Sequence, residues 1–271
     1  MKELHGTEWY GEYATLTDEH NDYVQIEYKC NGTGRLYDYT LFPGIDLIFM
    51  DFNCSDTFHE PIPNKNIIEI RHYQKGRVEF ELRNNKVFHM KEGEFCINAL
   101  ANIPAAYSFP FGYSVGLSCV IDKDSVDVET QQIFSYYNID VLNLGRELEL
   151  EKKWFLCRTP QRLLHIFDEL YAAKGVEGRD YFRIKLLELF YHIKQLRIED
   201  QYEATYYVKE QIEIIKRICQ QLIENLDKKI SIEELLRKEP MSKVTFQAIF
   251  KQIYGDTPYA HIKKYKMNLA A

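Results

Sequence analysis

No run in this chain approaches the ~18 consecutive apolar residues of a membrane span. The N-terminus, Met1-Lys-Glu-Leu-His-Gly-Thr-Glu8, lacks an apolar signal segment. The six cysteines, Cys30, Cys54, Cys96, Cys119, Cys157 and Cys219, are dispersed, with no CxxC and no Cys/His set at metal-ligand spacing. They therefore read as reduced residues that hold neither a disulfide framework nor a metal. Glycine-rich phosphate loops, nucleophile elbows and paired-acid motifs are missing as well. What these absences leave is a cytoplasmic protein, not an enzyme, with no cofactor, no metal and no membrane partner implied. A general excess of positive charge is also lacking, since the formal net charge is -7. That excludes a chain basic throughout.

With 271 residues, 45% of them hydrophobic and 14% aromatic, the chain can bury one large core or two ordinary ones. Its charge is unevenly spread. From Lys228 onward nine basic residues face four acidic ones, a local +5 that leaves the remainder at -12. A basic module thus hides behind an acidic one.

From about Tyr23 to Ile121 the chain reads as short β-segments broken by Gly, Asn, Asp and Pro. Arg77 to Arg83 alternates strictly, which predicts a half-buried strand with Val78, Phe80 and Leu82 inward. Asn84-Asn85 marks a turn before the segment at Lys86–Met90, and Tyr113–Ile121 alternates again. Antiparallel strands of this kind close into a small barrel or sandwich. Past Asp122 the periodicity is helical. Thr159-Pro160 provides an N-cap and first helical residue, and a second helix is expected from about Arg179 to Leu196. Its apolar residues exceed one stripe, so it has two packing partners: the barrel and either a second subunit or another part of the same chain. Arg197 to Tyr206 is the linker candidate. The predicted class is α+β, with domains at 1–198 and 207–271.

The second domain opens with a helix from about Val208 to Leu226. Ser231 and Glu234 then form a capping box, Pro240 ends the short helix, and Ser242 caps the next, whose Phe246, Ile249, Phe250 and Ile253 form a buried stripe. Gly255 terminates it, and Thr257-Pro258 opens another helix carrying Tyr259, Ile262, Tyr265 and Leu269. A short helix, a tight break and an amphipathic helix make a helix-turn-helix layout, which structural bundles also use.

The order of these residues is more specific. Ile232-Glu-Glu-Leu235, Ser242, Phe246, Phe250, Lys251, Tyr254-Gly255-Asp-Thr-Pro258 and Ile262-Lys-Lys-Tyr-Lys-Met267 with Ala270 resemble the DNA-binding half of AraC/XylS regulators. The resemblance covers about Val208 to Ala271. More loosely, Ile70–Glu79, Glu92-Gly-Glu94, Phe109–Tyr113 and Tyr181–Leu189 are similar to the cupin-like sensor half of some members. It implies that the helix from Ser242 to Tyr254 enters a DNA major groove. Val244, Gln247 and Ala248 would face the bases, with Gln247 able to pair with adenine and Val244 to touch a thymine methyl. Ser242, Lys243 and Lys251 would hold phosphates. For each lysine a solvated helix face stands as the alternative.

Ala248 departs from the long polar residue many relatives carry, Leu236 from a small Ala, and Pro240 from a Gly-like turn residue. The family's second helix-turn-helix is not expected, because the sequence stops at Ala271. Ile262, Tyr265 and Leu269 are accordingly expected to be partly exposed, and dimerisation to be needed for specific affinity. The alternative is a sensor or dimerisation protein whose half domain does not bind DNA.

For the first domain the resemblance implies a small-molecule effector of unknown identity in a pocket built from Phe49, His72, Phe80 and Phe88. A structural-core role stands beside it for each. His72 lies in phase with Ile68 and Ile70, while His59 and His89 flank other strands. Nothing matches the paired-histidine pattern of metal-binding cupins, so a cupin-type enzyme is disfavoured.

Overall fold

Strict alternation becomes antiparallel ladder through most of the first half of the chain. The structure is a computed structural model describing residues 10–59, 66–99, 104–150, 152–226 and 231–270, without the side chains of 268–270. Lys228, Lys229 and the side chain of Leu269 lie outside the described residues. By contacts the chain divides into Met1–Leu82 with Met90–Ala204, and Arg83–His89 with Thr205–Ala271.

The first unit contains β1 (Ala14–Glu19), β2 (Val24–Tyr28), β3 (Gly32–Phe42), β4 (Ile45–Cys54), β5 (Thr57–His59) and the long β6 (Ile67–Glu81). Next along the chain is β7 (Lys86–Lys91), most of which belongs to the second unit. The first unit resumes with β8 (Glu94–Ala99), β9 (Ala106–Ser108), β10 (Ser114–Asp122) and β11 (Phe155–Arg158). Antiparallel pairing runs β1-β2-β3-β4-β10-β6-β8-β11, with β9 and then β5 on the far half of β6. The expected barrel is a curled half-barrel: among the described residues no ladder joins β1 to β11.

Register assigns each strand residue to a face. One row runs Tyr37, Phe49, Leu117, His72, Phe95, and the next on that face Tyr39, Leu47, Cys119, Ile70, Ile97. This face is covered by α1 (Val128–Ser135), α2 (Gln161–Ala173) and α3 (Arg179–Ile193), which bury Phe134, Leu163, Ile166, Phe167, Phe182 and Leu186 in one core with the strand residues. Helix α1 is held at its start by the Asp127 carboxylate, which accepts from the Thr130 amide at 2.8 Å. Pro160, not Thr159, occupies the cap position of α2, so that helix begins one residue later than its sequence predicts.

The segment expected to be a half-buried strand is buried on both sides. Val78 and Phe80 are fully enclosed, and Arg77 and Glu79 on the other face are buried too. The guanidinium of Arg77 lies 5.4 Å from the Phe111 ring, and Ser108 Oγ donates to Glu79 at 3.3 Å. These partners let charged residues occupy an inward-facing position.

His72 illustrates the packing. Its ring stacks on Phe167 at 4.1 Å, and the Tyr171 hydroxyl donates to the His72 carbonyl at 3.0 Å while lying 3.0 Å from Nδ1. Burial lowers the His72 pKa to about 3. An unfolded chain therefore binds a proton below pH 6.5 that the native chain refuses, so stability is full above 6.5 and declines as the pH falls toward 3. The slope is at most about 1.4 kcal/mol per pH unit. The urea midpoint is expected to fall between pH 7 and pH 5, and to fall less in His72→Phe; equal slopes would contradict a neutral buried imidazole.

The second unit is largely helical: α4 (Lys209–Glu224), α5 (Ile232–Leu236), α6 (Lys243–Tyr254) and α7 (Pro258–Ala270). Ile212, Ile215, Ile218 and Cys219 of α4 pack with Leu236 of α5 and with Phe246, Ile249, Phe250 and Ile253 of α6. Val87 joins this core, because the short β12 (Tyr207–Val208) pairs with Lys86-Val87. Lys209 N also donates to the Asn85 carbonyl at 3.1 Å, and Asn85 Nδ2 to Glu210 at 3.0 Å. Asn85 holds the left-handed φ of 65° that its place in the turn demands. No helix among the described residues is long and apolar enough to cross a membrane.

Candidate functional site

Helix α6 owes its position to caps at both ends and to the turn before it. Ser231 Oγ accepts from Glu234 N at 3.1 Å while Glu234 accepts from Ser231 N at 3.0 Å, so the capping box of α5 is complete. Beyond α5, Arg217 of α4 grips Glu239 with bonds of 2.7 and 2.8 Å, which fastens the Pro240 turn to α4. Ser242 Oγ then accepts from Thr245 N at 3.1 Å. At the far end Gly255, at φ 78°, lets its N–H return to the Lys251 carbonyl at 2.9 Å.

Burying Phe246, Ile249, Phe250 and Ile253 forces the opposite side of α6 outward. Ser242, Lys243, Val244, Gln247, Ala248 and Lys251 are all exposed there, Val244 at 78%. An apolar residue so exposed has no role in this core. Lys243 pairs with Glu233 of α5, which reduces its free charge, whereas Lys251 forms no ion pair among the described residues. In α7, Ile262 and Tyr265 are partly exposed, Thr257 Oγ1 accepts from Ala260 N at 3.3 Å, and His261 packs its ring 4.6 Å from Tyr254.

The pocket residues expected in the first domain are distributed differently. Phe49 and His72 share the helix-covered face, each meeting Tyr171, with ring centroids 6.3 and 5.7 Å apart respectively. Phe80 lies on the other face, its ring 5.0 Å from Trp154 and 5.2 Å from the Arg71 guanidinium. The reason is a one-residue slip in β6: Gly116 opposes Tyr73 but Val115 opposes Lys75, so odd and even positions exchange faces before Phe80 is reached. Gly76 permits the distortion, since at φ 86° a Cβ there would meet the Tyr113 carbonyl at 2.4 Å. Phe88 belongs to the second unit and packs against Tyr206 at 5.7 Å.

The opposite face of these strands carries rows that the sequence reading missed: Asp38, Ile48, Ser118, Arg71, Cys96 and, beside it, Thr40, Asp46, Val120, Glu69, Asn98. All of their polar members except Thr40 are buried. Arg71 Nε lies 2.7 Å from Glu69, which also accepts from Ser118 Oγ at 2.5 Å. Thr40 donates to Asp46 at 2.6 Å, and the Tyr10 hydroxyl donates to Asp38. Burial foremost, then the Asp38 charge, raises the Tyr10 pKa far above its ordinary value. Asn98 differs from these neighbours. It is 1% exposed and neither its amide nitrogen nor its oxygen has a hydrogen-bond partner among the described residues. A legible sign existed in the charges of Glu69 and Arg71 inside the apolar run Ile67–Tyr73.

The cysteines are likewise less scattered in space than in sequence. Cys30 and Cys54 lie together with Asp56, a grouping that their separation in the sequence did not point to.

No protein-family profile and no curated protein matches the chain. Among solved structures it is similar to the AraC-like transcriptional activator CuxR, at 10% identity and TM-score 0.39, over 89% of this chain and 81% of that one. It is also similar to ToxT from Vibrio cholerae O395 bound to (E)-4-(8-methylnaphthalen-1-yl)but-3-enoic acid, at 8% identity and TM-score 0.36, over 83% and 84%. Scores this low leave the functional reading to the chain's own caps, faces and charges.

An unpartnered buried amide costs about 1–3 kcal/mol. Asn98→Leu is therefore expected to raise the thermal midpoint of the unliganded protein; a fall would mean that the amide is satisfied and Asn98 is ordinary core.

Proposed function

We propose that the chain is a DNA-binding transcription regulator of AraC type whose first unit senses a small molecule. The carrying observation is α6: capped at both ends, seated by a four-residue apolar stripe, it exposes Val244, Gln247, Ala248 and Lys251 together. A helix presented in this way fits a major groove, where Gln247 pairs with an adenine edge and Val244 packs on a thymine methyl. Ser242, Lys243 and Lys251 contact phosphates; Lys243 must first leave Glu233. The polar rows around Arg71, Glu69 and Asn98 are the effector-facing surface of the first unit, and Asn98 offers an amide donor group and a carbonyl acceptor to a neutral polar group. Phe80, beside Arg71, contributes an apolar wall. An effector acts by binding one DNA-competent arrangement more tightly than another.

A second copy adds a second reading helix and raises the effective affinity. Ile184, Leu187 and Tyr191 form a stripe along α3, with Ile184 65% and Tyr191 45% exposed. This stripe is the homodimer contact. Light scattering after size-exclusion chromatography should give twice the chain mass for the parent and a monomer for Ile184→Glu. A monomeric parent at micromolar concentration contradicts the dimer.

A second reading, a sensor that does not bind DNA, draws support from the internal neutralisation of Lys243 by Glu233 and of Arg217 by Glu239. Electrophoretic mobility shift of a random DNA pool separates the two. The parent chain is expected to shift it, with affinity falling steeply as salt rises, and Gln247→Ala/Lys251→Ala to bind at least tenfold more weakly. No shift at low salt, or equal binding by the variant, removes α6 from the role.

A further inference from the structure

The end of β4 and the turn into β3 are pressed together more closely than ordinary strand pairing requires. Gly32 opposes Cys54 at φ 135°, where a Cβ would lie 2.1 Å from the Asn53 carbonyl, so only glycine fits. Gly32 N donates to the Cys30 carbonyl at 3.1 Å, which folds Cys30 back over the strand pair. As a result Cys30 Sγ, Cys54 Sγ and a carboxylate oxygen of Asp56 all lie within 4.8 Å of one another. The carboxylate is itself held. Asn31 N donates to Oδ2 at 2.7 Å and Asn31 Nδ2 to Oδ1 at 3.1 Å. Cys54 is buried while Cys30 and Asp56 are partly exposed, giving the cluster one closed side and one open side.

We propose that Cys30, Cys54 and Asp56 bind a thiophilic divalent cation such as zinc, with the fourth position open toward solvent. Three atoms no farther apart than this share a point about 2.8 Å from each, and thiolate and carboxylate ligands of zinc lie at roughly 2.3 and 2.0–2.2 Å. Side-chain rotation of about half an ångström closes the difference. Two sulfurs and one oxygen select zinc, cobalt or cadmium over the hard cations magnesium and calcium, which take all-oxygen sets. The two Asn31 donors orient the carboxylate toward the ion, as the outer partners of metal ligands do. Binding is a proton exchange: two S–H bonds break, two metal–sulfur bonds form, and two protons leave for solvent, with no change of oxidation state. None of Cys96, Cys119, Cys157 and Cys219 belongs to such a group among the described residues.

Cobalt(II) titration of the reduced full chain under nitrogen provides the test, read by thiolate-to-cobalt charge transfer in the near ultraviolet. One cobalt per chain is expected, displaced by zinc, with about two protons released per ion in weak buffer. Cys30→Ser should abolish the band with the far-ultraviolet circular dichroism unchanged, and Asp56→Asn should weaken binding ~10-fold or more. Both variants alter partly exposed side chains, so the fold of each can be checked independently of binding. Absence of the band in the reduced parent, or its persistence in Cys30→Ser, overturns the assignment. So does a parent whose two thiols disappear reversibly under a disulfide oxidant but take up no cobalt once reduced, since the pair would then be a redox couple.

Discussion

Alternation along β6 commits every second residue to one face, and both faces of this strand are buried. Much of the first unit follows from that constraint. Ile68, Ile70 and His72 must be compatible with the helical layer, so the one imidazole among them is neutral and stacked. Glu69 and Arg71, on the alternate phase, have no water to rely on and must satisfy each other and Ser118. Enclosing a charge pair costs several kcal/mol per ion before its attraction is counted, so such a pair is weak evidence of stability and better evidence that the position serves some other end. β10 repeats the pattern beside it, with Leu117, Cys119 and Ile121 toward the helices and Ser118 toward the charges.

The second unit is governed by a different economy. Its core is small, drawn from α4, α5, α6 and the single strand residue Val87, and short helices leave many backbone N–H groups without intrahelical partners. Ser231, Glu234, Ser242 and Thr257 satisfy some of them, and Gly255 closes the far end of α6. The caps fix where α6 starts. The buried stripe Phe246, Ile249, Phe250 and Ile253 then fixes which residues share its outer face, because successive residues lie about 100° apart around the axis.

Local chemistry made this unit readable in advance. Caps, helix breaks and four-residue spacings act over a few positions, so Ser231, Ser242, Gly255 and the Phe246–Phe250 pair could be placed without knowledge of distant contacts. The first unit was less legible for the converse reason. Which face of β6 meets the helices depends on α2 and α3, about 80 or more residues downstream, and the slip at Tyr73–Lys75 inverts the phase within one strand. His72 and Phe80 thus look equivalent by spacing yet face opposite ways. Cys30, Cys54 and Asp56 were invisible for the same reason, since a strand register and one glycine bring them together.

The segment Arg83–His89 belongs by contacts to the second unit although its neighbours on both sides belong to the first. The chain therefore crosses between units at three peptide bonds instead of one. A linker with a single crossing can be cut to free its cargo, but here cleavage within 200–204 would leave the helical fragment clasped by β12 pairing and by Val87 in its core. Loss of the hairpin segment, conversely, would strip that core of a wall while leaving the linker whole. Covalent continuity and domain independence are thus decoupled in this chain, and a clean excision of the helical module would have to carry seven residues from the middle of the first unit's sequence with it.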